Sequence, residues 1–235
     1  MNNTKKKSPI SWVPTAYFAM GLPFVVLNMV TVLMFKGLEV DDKLITFWTS
    51  LILLPWTLKP LWSPFLELFW TKKFFVIVTQ LITGVTFGLV AFALNLSYFF
   101  SISIALLAIV AFSGATHDIA CDGVYMSELS NEDQAKFIGW QGAFYNIAKI
   151  LATGGLVYLA GYFIELNADA GLLTANKRAW MIILLILSVT MILLGIYHLF
   201  ALPSTQSASS KKTLRSNKEV MKELGQVLMD FFRKT

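Results

Sequence analysis

The sequence predicts an all-α integral membrane protein with six transmembrane helices, and three observations lead there. Only 14% of the 235 residues are charged and 56% are hydrophobic, whereas a water-soluble domain carries about a quarter charged residues. The mean hydropathy is +0.65. Six apolar segments, at 11–34, 44–70, 74–95, 96–126, 137–164 and 179–202, each come near or above the ~20 residues that cross ~30 Å of hydrocarbon. None shows the period-two alternation of a membrane β-barrel strand.

Residues 1–10 form a short N-terminal stretch. Its Lys5-Lys6-Lys7 followed by apolar residues resembles a secretory signal, but the run 10–34 is too long for one and lacks a small-x-small cleavage site. It reads as a retained first span. In the second segment Pro55, Pro60 and Pro64 each remove a backbone donor and are expected to kink or interrupt the helix. The fourth segment ends in Gly114-Ala-Thr-His-Asp-Ile-Ala-Cys-Asp-Gly-Val-Tyr-Met126, with two carboxylates one turn apart. The fifth carries Gly139, Gly142, Gly154, Gly155 and Gly161, which permit close helix approach. Beyond Pro203, residues 204–210 read as a polar linker. Helical spacing returns over 218–232 through Val220, Leu224, Val227, Leu228 and Phe231. That is an amphipathic helix at the cytoplasmic membrane surface, or the start of a connector to a further segment.

Basic residues set the orientation. Lys5–Lys7, Lys72, Lys73, Lys136 and seven tail residues (Lys211, Lys212, Arg215, Lys218, Lys222, Arg233 and Lys234) fall on one side, against Lys36, Lys43, Lys177 and Arg178 on the other. Both termini are expected in the cytoplasm. The net charge of +5 is accounted for by these loops and tails and does not point to nucleic acid. The single cysteine, Cys121, cannot form an intramolecular disulfide.

Besides Glu67 near the end of the second segment, four charges fall inside the apolar segments. Counting ~1.5 Å per residue from the loop boundaries, Lys59 lies about 16 Å in, Lys149 about 18 Å and Asp118 about 15 Å, all near the midplane, with Asp122 about 9 Å in. Ionised groups in hydrocarbon are costly unless paired or hydrated. Two readings follow: a structural ion pair between helices, or a carboxylate that exchanges a proton beside a lysine that tunes it or meets an anionic substrate. The fifth segment adds Gln141, Tyr145, Lys149 and Thr153 at four-residue steps, with Asn146 beside them. Such a stripe serves for binding sugar or peptide groups, or for bonding between helices.

Several classes are excluded. No Walker A sequence and no His-Glu-x-x-His pattern occurs, and Asp118 and Asp122 share one helix, unlike the facing carboxylates of an aspartic protease. No enzyme, metal site or cofactor is expected. His117 reads as a packing or hydrogen-bonding residue.

Two stretches carry a resemblance. Leu54-Pro-Trp-Thr-Leu-Lys-Pro-Leu-Trp-Ser-Pro64 and Ala115-Thr-His-Asp-Ile-Ala-Cys-Asp-Gly123 resemble the AmpG-type muropeptide permeases of the major facilitator superfamily and the related acetyl-coenzyme-A transporters. The family typically has Gln-Asp-Ile-Ala-x-Asp at the second stretch. Asp118 and Asp122 occupy both acidic positions, Lys59 matches the second-span lysine, and His117 stands where the family has glutamine. The resemblance implies the N-terminal half of a six-plus-six helix fold, requiring a second half or a second copy. It implies a multi-pass protein of the bacterial inner membrane that moves an anhydromuropeptide or related amino-sugar compound with protons. Asp118 or Asp122 would carry the proton, Lys59 and Lys149 would balance charge, and Gln141, Tyr145 and Asn146 would line the site. Glu67, Lys72 and Lys73 would stand in for the cytoplasmic gate, although the family's glycines and arginine are missing there. The other readings are a carrier of acetyl-coenzyme A or another anionic metabolite, and a six-helix scaffold that transports nothing.

Overall fold

The computed structural model describes residues 7–68 and 70–204, without the side chains of 67 and 68. These residues form a helical bundle with no strand among them. Five helices are long and apolar enough to cross a membrane: α1 (Pro9–Gly37), α5 (Lys72–Ala93), α6 (Phe99–Glu128), α7 (Asn131–Leu166) and α8 (Leu172–Ala201). The chain is a multi-pass membrane protein on this count. The surface helix expected at 218–232 lies outside the described residues.

Between α1 and α5 the expected second helix breaks into pieces: α2 (Asp42–Ile52), α3 (Leu54–Thr57), a 3-10 turn Lys59–Leu61 and α4 (Ser63–Leu68). The prolines explain the breaks. Pro55 and Pro60 sit in the first turns of their pieces and Pro64 is the second residue of α4, positions whose backbone N–H has no intrahelical partner. The segment runs back along the bundle. Ile45 and Ile52 join the core cluster of the α1 C-terminal end, while Leu66 lies beside Lys72, Phe75 and Ala120 at the other end.

Proline also shapes α1. Pro23 lies inside the helix, and the N–H of Val26 is shared between the carbonyls of Leu22 and Pro23. A π-helical stretch, Val26–Val30, follows directly, absorbing the lost hydrogen bond by widening the turn. A second π-stretch, Leu151–Leu156, interrupts α7 at Gly154 and Gly155, and the two stretches pack on each other.

Three helix starts follow side-chain caps that hydropathy does not register. Asp41 accepts from the N–H groups of Lys43 and Leu44, Thr71 from Phe74, and Ser130 from Asp133. Each satisfies donors that the first turn leaves open. The Ser130 cap, with Glu132 and Asp133 in the first turn, starts α7 at Asn131, six residues before the apolar run. α8 starts at Leu172 after Gly171, whose φ of 84° favours glycine, so Lys177 and Arg178 are helical.

Helices α5, α6 and α8 make the tight part of the bundle. A Cβ at Gly84 would meet Ile192 at 2.7 Å, and one at Gly195 would meet Leu81 at 2.9 Å, so glycine permits this α5–α8 contact. α1 packs on α7 in the same manner: Gly21 lies under Tyr145 and Ala148. Elsewhere α7 is open. Only 22% of its apolar stretch is buried, against 67% for α1, and Ile138, Ile150, Tyr158 and Tyr162 are exposed on it.

Candidate functional site

The site is built on α6. Residues four apart lie on one helix face, and α6 carries two polar rows in adjacent register: Gly114, Asp118 and Asp122, then Ser113, His117 and Cys121.

The first row meets the broken segment and α1. Lys59 Nζ donates to Asp118 Oδ2 at 2.7 Å, and Trp56 Nε1 donates to the same oxygen at 2.9 Å. The two lie on either side of the break, on α3 and on the 3-10 turn, and the break lets both reach one carboxylate. Gly114 makes room for Trp56: a Cβ there would stand 2.9 Å from the indole Cζ2. Phe24 closes the other side edge-on, with ring centroids 5.1 Å apart. The second carboxylate oxygen, Asp118 Oδ1, is buried and has no hydrogen-bond partner among the described residues. The pair is partly open, the Lys59 side chain keeping 29% of its accessible surface and Asp118 11%. One turn on, Asp122 is exposed and accepts from the Tyr17 hydroxyl at 2.8 Å.

The second row faces α5 and α8 and is closed. Ser113 Oγ donates to the Thr79 carbonyl at 2.8 Å, and Thr83 donates to Ser113 at 3.2 Å. The Gln80 amide stands between two histidines, its Nε2 2.9 Å from His117 Nε2 and its Oε1 2.9 Å from His198 Nδ1. His198 Nε2 lies 2.9 Å from Thr15 Oγ1 on α1. Gln80 and His198 are fully buried and His117 keeps 3% exposure.

The structure brings together part of what the sequence singles out. Lys59 and Asp118 pair directly. Lys149, expected at the same depth, is exposed on α7 and makes no salt bridge among the described residues. Its helix turns Tyr145 and Ala148 toward Gly21, and Lys149 falls on the open side. In the fifth-segment stripe, Asn146 donates to its own helix at Gly142 O, 2.8 Å away, and Thr153 to Lys149 O at 2.9 Å. Gln141 neighbours the Tyr125 hydroxyl. At the expected gate, Lys72 lies over Gly123 with Nζ 3.5 Å from its carbonyl, and Lys73 donates to Leu202 O at 2.9 Å. The Glu67 side chain lies outside the described residues. His117 is hydrogen-bonded, as expected for it.

Sequence reasoning misses Trp56, Tyr17, Gln80 and the role of His198. Gln80 carries a readable signal: it is an amide within a helix of almost wholly apolar residues, where polar groups find interhelical partners. Tyr17 and Trp56 carry none, since nothing in the sequence sets them apart from the other tyrosines and tryptophans of the chain.

Comparison with protein-family models, with curated proteins and with solved structures finds no match to this chain.

Proposed function

We propose that this chain is a secondary active transporter, AmpG-like, or the N-terminal half of one, which moves an anhydromuropeptide or related amino-sugar compound with protons across the bacterial inner membrane. The observation that carries the reading is the Lys59–Asp118 pair: a lysine on a proline-broken segment and a carboxylate on α6, inside an apolar bundle, with one carboxylate oxygen unpartnered among the described residues. A purely structural pair gains from satisfying every lone pair. Leaving Asp118 Oδ1 open suits a group that accepts a proton there. Protonation neutralises Asp118, releases Lys59, and frees the broken segment to shift against α6. Asp122, exposed and held by the Tyr17 hydroxyl, is the second acidic position through which a proton reaches or leaves Asp118.

In this reading the broken segment is the sixth membrane crossing, and both termini face the cytoplasm, where the basic residues concentrate. The exposed face of α7, with Asn146 and Lys149 on it and the half-buried Gln141 beside Tyr125, faces a second six-helix half, either a further chain segment or a second copy. Rocking of the two halves alternates access to a site between them.

The test is uptake into proteoliposomes under an imposed proton gradient, with the oligomeric mass of the detergent-purified chain measured alongside. The wild type is expected to accumulate labelled anhydromuropeptide, and Asp118→Asn to lose accumulation while retaining downhill exchange. Competition by acetyl-coenzyme A at equal concentration would move the substrate assignment to anionic metabolites, for which Lys59 and Lys149 suit phosphate groups. A chain that forms a stable dimer yet transports neither compound under any gradient overturns the proposal in favour of a scaffold.

A further inference from the structure

The closed row of α6 raises a question of hydrogen counting. Two histidine rings have four nitrogens. One nitrogen of each, His117 Nε2 and His198 Nδ1, faces the Gln80 amide at 2.9 Å. The outer two are His198 Nε2, 2.9 Å from Thr15 Oγ1, and His117 Nδ1, which is buried without a partner among the described residues. A carboxamide oxygen only accepts and its nitrogen only donates. Whichever way Gln80 is turned, one facing nitrogen must carry a hydrogen and the other must be bare.

We infer that Gln80, His117 and His198 form a binding site for one proton, shared between two rings, with the amide orientation deciding which ring becomes charged. With one hydrogen on the facing pair and at most two outside, the rings hold at most three hydrogens. Two neutral imidazoles already hold two. The site therefore accepts a single further proton and excludes a second.

Each orientation gives that proton a different point of attachment. With Oε1 toward His198, the neutral rings carry hydrogens on His198 Nδ1 and His117 Nδ1. The arriving proton then forms an N–H bond at His198 Nε2. The Thr15 hydroxyl, which donates to that nitrogen in the neutral state, turns its hydrogen to the Trp12 carbonyl oxygen 3.2 Å away and accepts from the imidazolium instead. No bond breaks other than hydrogen bonds. With the amide reversed, the open nitrogen is the unpartnered His117 Nδ1, and the charge sits next to Asp118 in sequence.

Few other titratable groups surround the pair. Among the described residues, Lys59 stands on the Asp118 side of α6, paired with that carboxylate, and Asp118 and Cys121 are the neighbours of His117 on α6. α1 contributes Tyr17, already spent on Asp122. α5 has only Lys72 and Lys73 at its start, and α8 has Tyr197, whose ring centroid lies 5.4 Å from that of His198, with Lys177 and Arg178 far along the helix. None of these supplies a counter-charge in hydrogen-bond contact, so the count is set by the amide.

His117 and His198 are the only two histidines of the sequence, so ring ¹⁵N spectra of a histidine-labelled, untagged chain in lipid nanodiscs report the site alone, without any transport assay. Titrated to the acid limit of the folded protein, the wild type is expected to show one imidazolium per chain. Gln80→Glu presents acceptor oxygens to both rings and is expected to show two. Gln80→Met, which imposes no donor or acceptor, serves if the glutamate variant does not fold, and carries the same expectation. Two imidazolium rings in the wild type, none at any pH the fold survives, or one in the wild type and both variants would each overturn the inference. Transport behaviour decides none of these outcomes, so this site and the transport proposal can fail separately.

Discussion

The two polar rows of α6 differ in what they do with polar groups in an apolar bundle. The Asp118 row is charged, has one or two donors per carboxylate, and keeps some exposure at Lys59 and Asp122. The His117 row contains no opposite charges and runs as a chain of neutral groups across α1, α8, α5 and α6, buried except at the half-buried Thr15. Rows one residue apart in sequence therefore serve different ends. The neutral chain ties four helices together, since Thr15, His198, Gln80 and His117 are each hydrogen-bonded to the next. The charged row joins α6 to a proline-broken segment with few other bonds, so its partners can part without unravelling the tight half of the bundle.

Substitutions sharpen or break that contrast. The largest loss is expected from Lys59→Met, which leaves Asp118 buried and uncompensated. The cost is about 3 kcal/mol, the low end for breaking a buried pair because Lys59 is partly open. Adding Asp118→Asn should recover most of it, read as the midpoint of unfolding in mixed micelles. If the double variant is no more stable than the single one, the charge is not what makes the loss.

Gln80→Leu is expected to cost about 2 kcal/mol, by leaving two ring nitrogens unsatisfied in the closed row. Hydrogen exchange should then rise in α5 and α8 together; a rise confined to α5 would show that the row does not tie the helices. Gly114→Ala should cost about 1–2 kcal/mol by pressing on the Trp56 ring. Its signature is a shifted indole Nε1–H resonance as the bond to Asp118 is lost. Tyr17→Phe removes one hydrogen bond to an exposed carboxylate and is expected to cost about 1 kcal/mol or less, measured by the same unfolding midpoint. Smallest is Lys36→Ala. It breaks an ion pair whose side chains are 65% and 70% exposed, and its effect should fall below about 0.5 kcal/mol.

Much of the bundle is legible in the sequence because crossing hydrocarbon demands long apolar runs and nothing else satisfies the backbone there. Five of the six expected segments are long helices. The interruption of the sixth follows from Pro55, Pro60 and Pro64, which remove donors by covalent structure alone. Helix starts are less legible. Ser130 and Gly171 begin helices six and seven residues before the apolar runs expected at 137 and 179, because caps depend on backbone geometry and hydropathy does not see them. At the site, charge pairing of Lys59 with Asp118 is legible from depth and sign. Lys149 has the same depth and sign but the wrong azimuth. Depth follows from counting residues; azimuth depends on which helix lies alongside.

The sequence by itself determined that this chain lives in a membrane, where it breaks, and which charges must find partners, because each of these is a local property of residue type and run length. Only the tertiary structure decided who the partners are. Trp56 reaches Asp118 because Gly114 leaves space for it, Tyr17 reaches Asp122 because α1 crosses α6 there, and Gln80 separates His117 from His198 because α5 packs between α6 and α8. Those choices depend on packing between helices far apart in the chain, and no local pattern carries them.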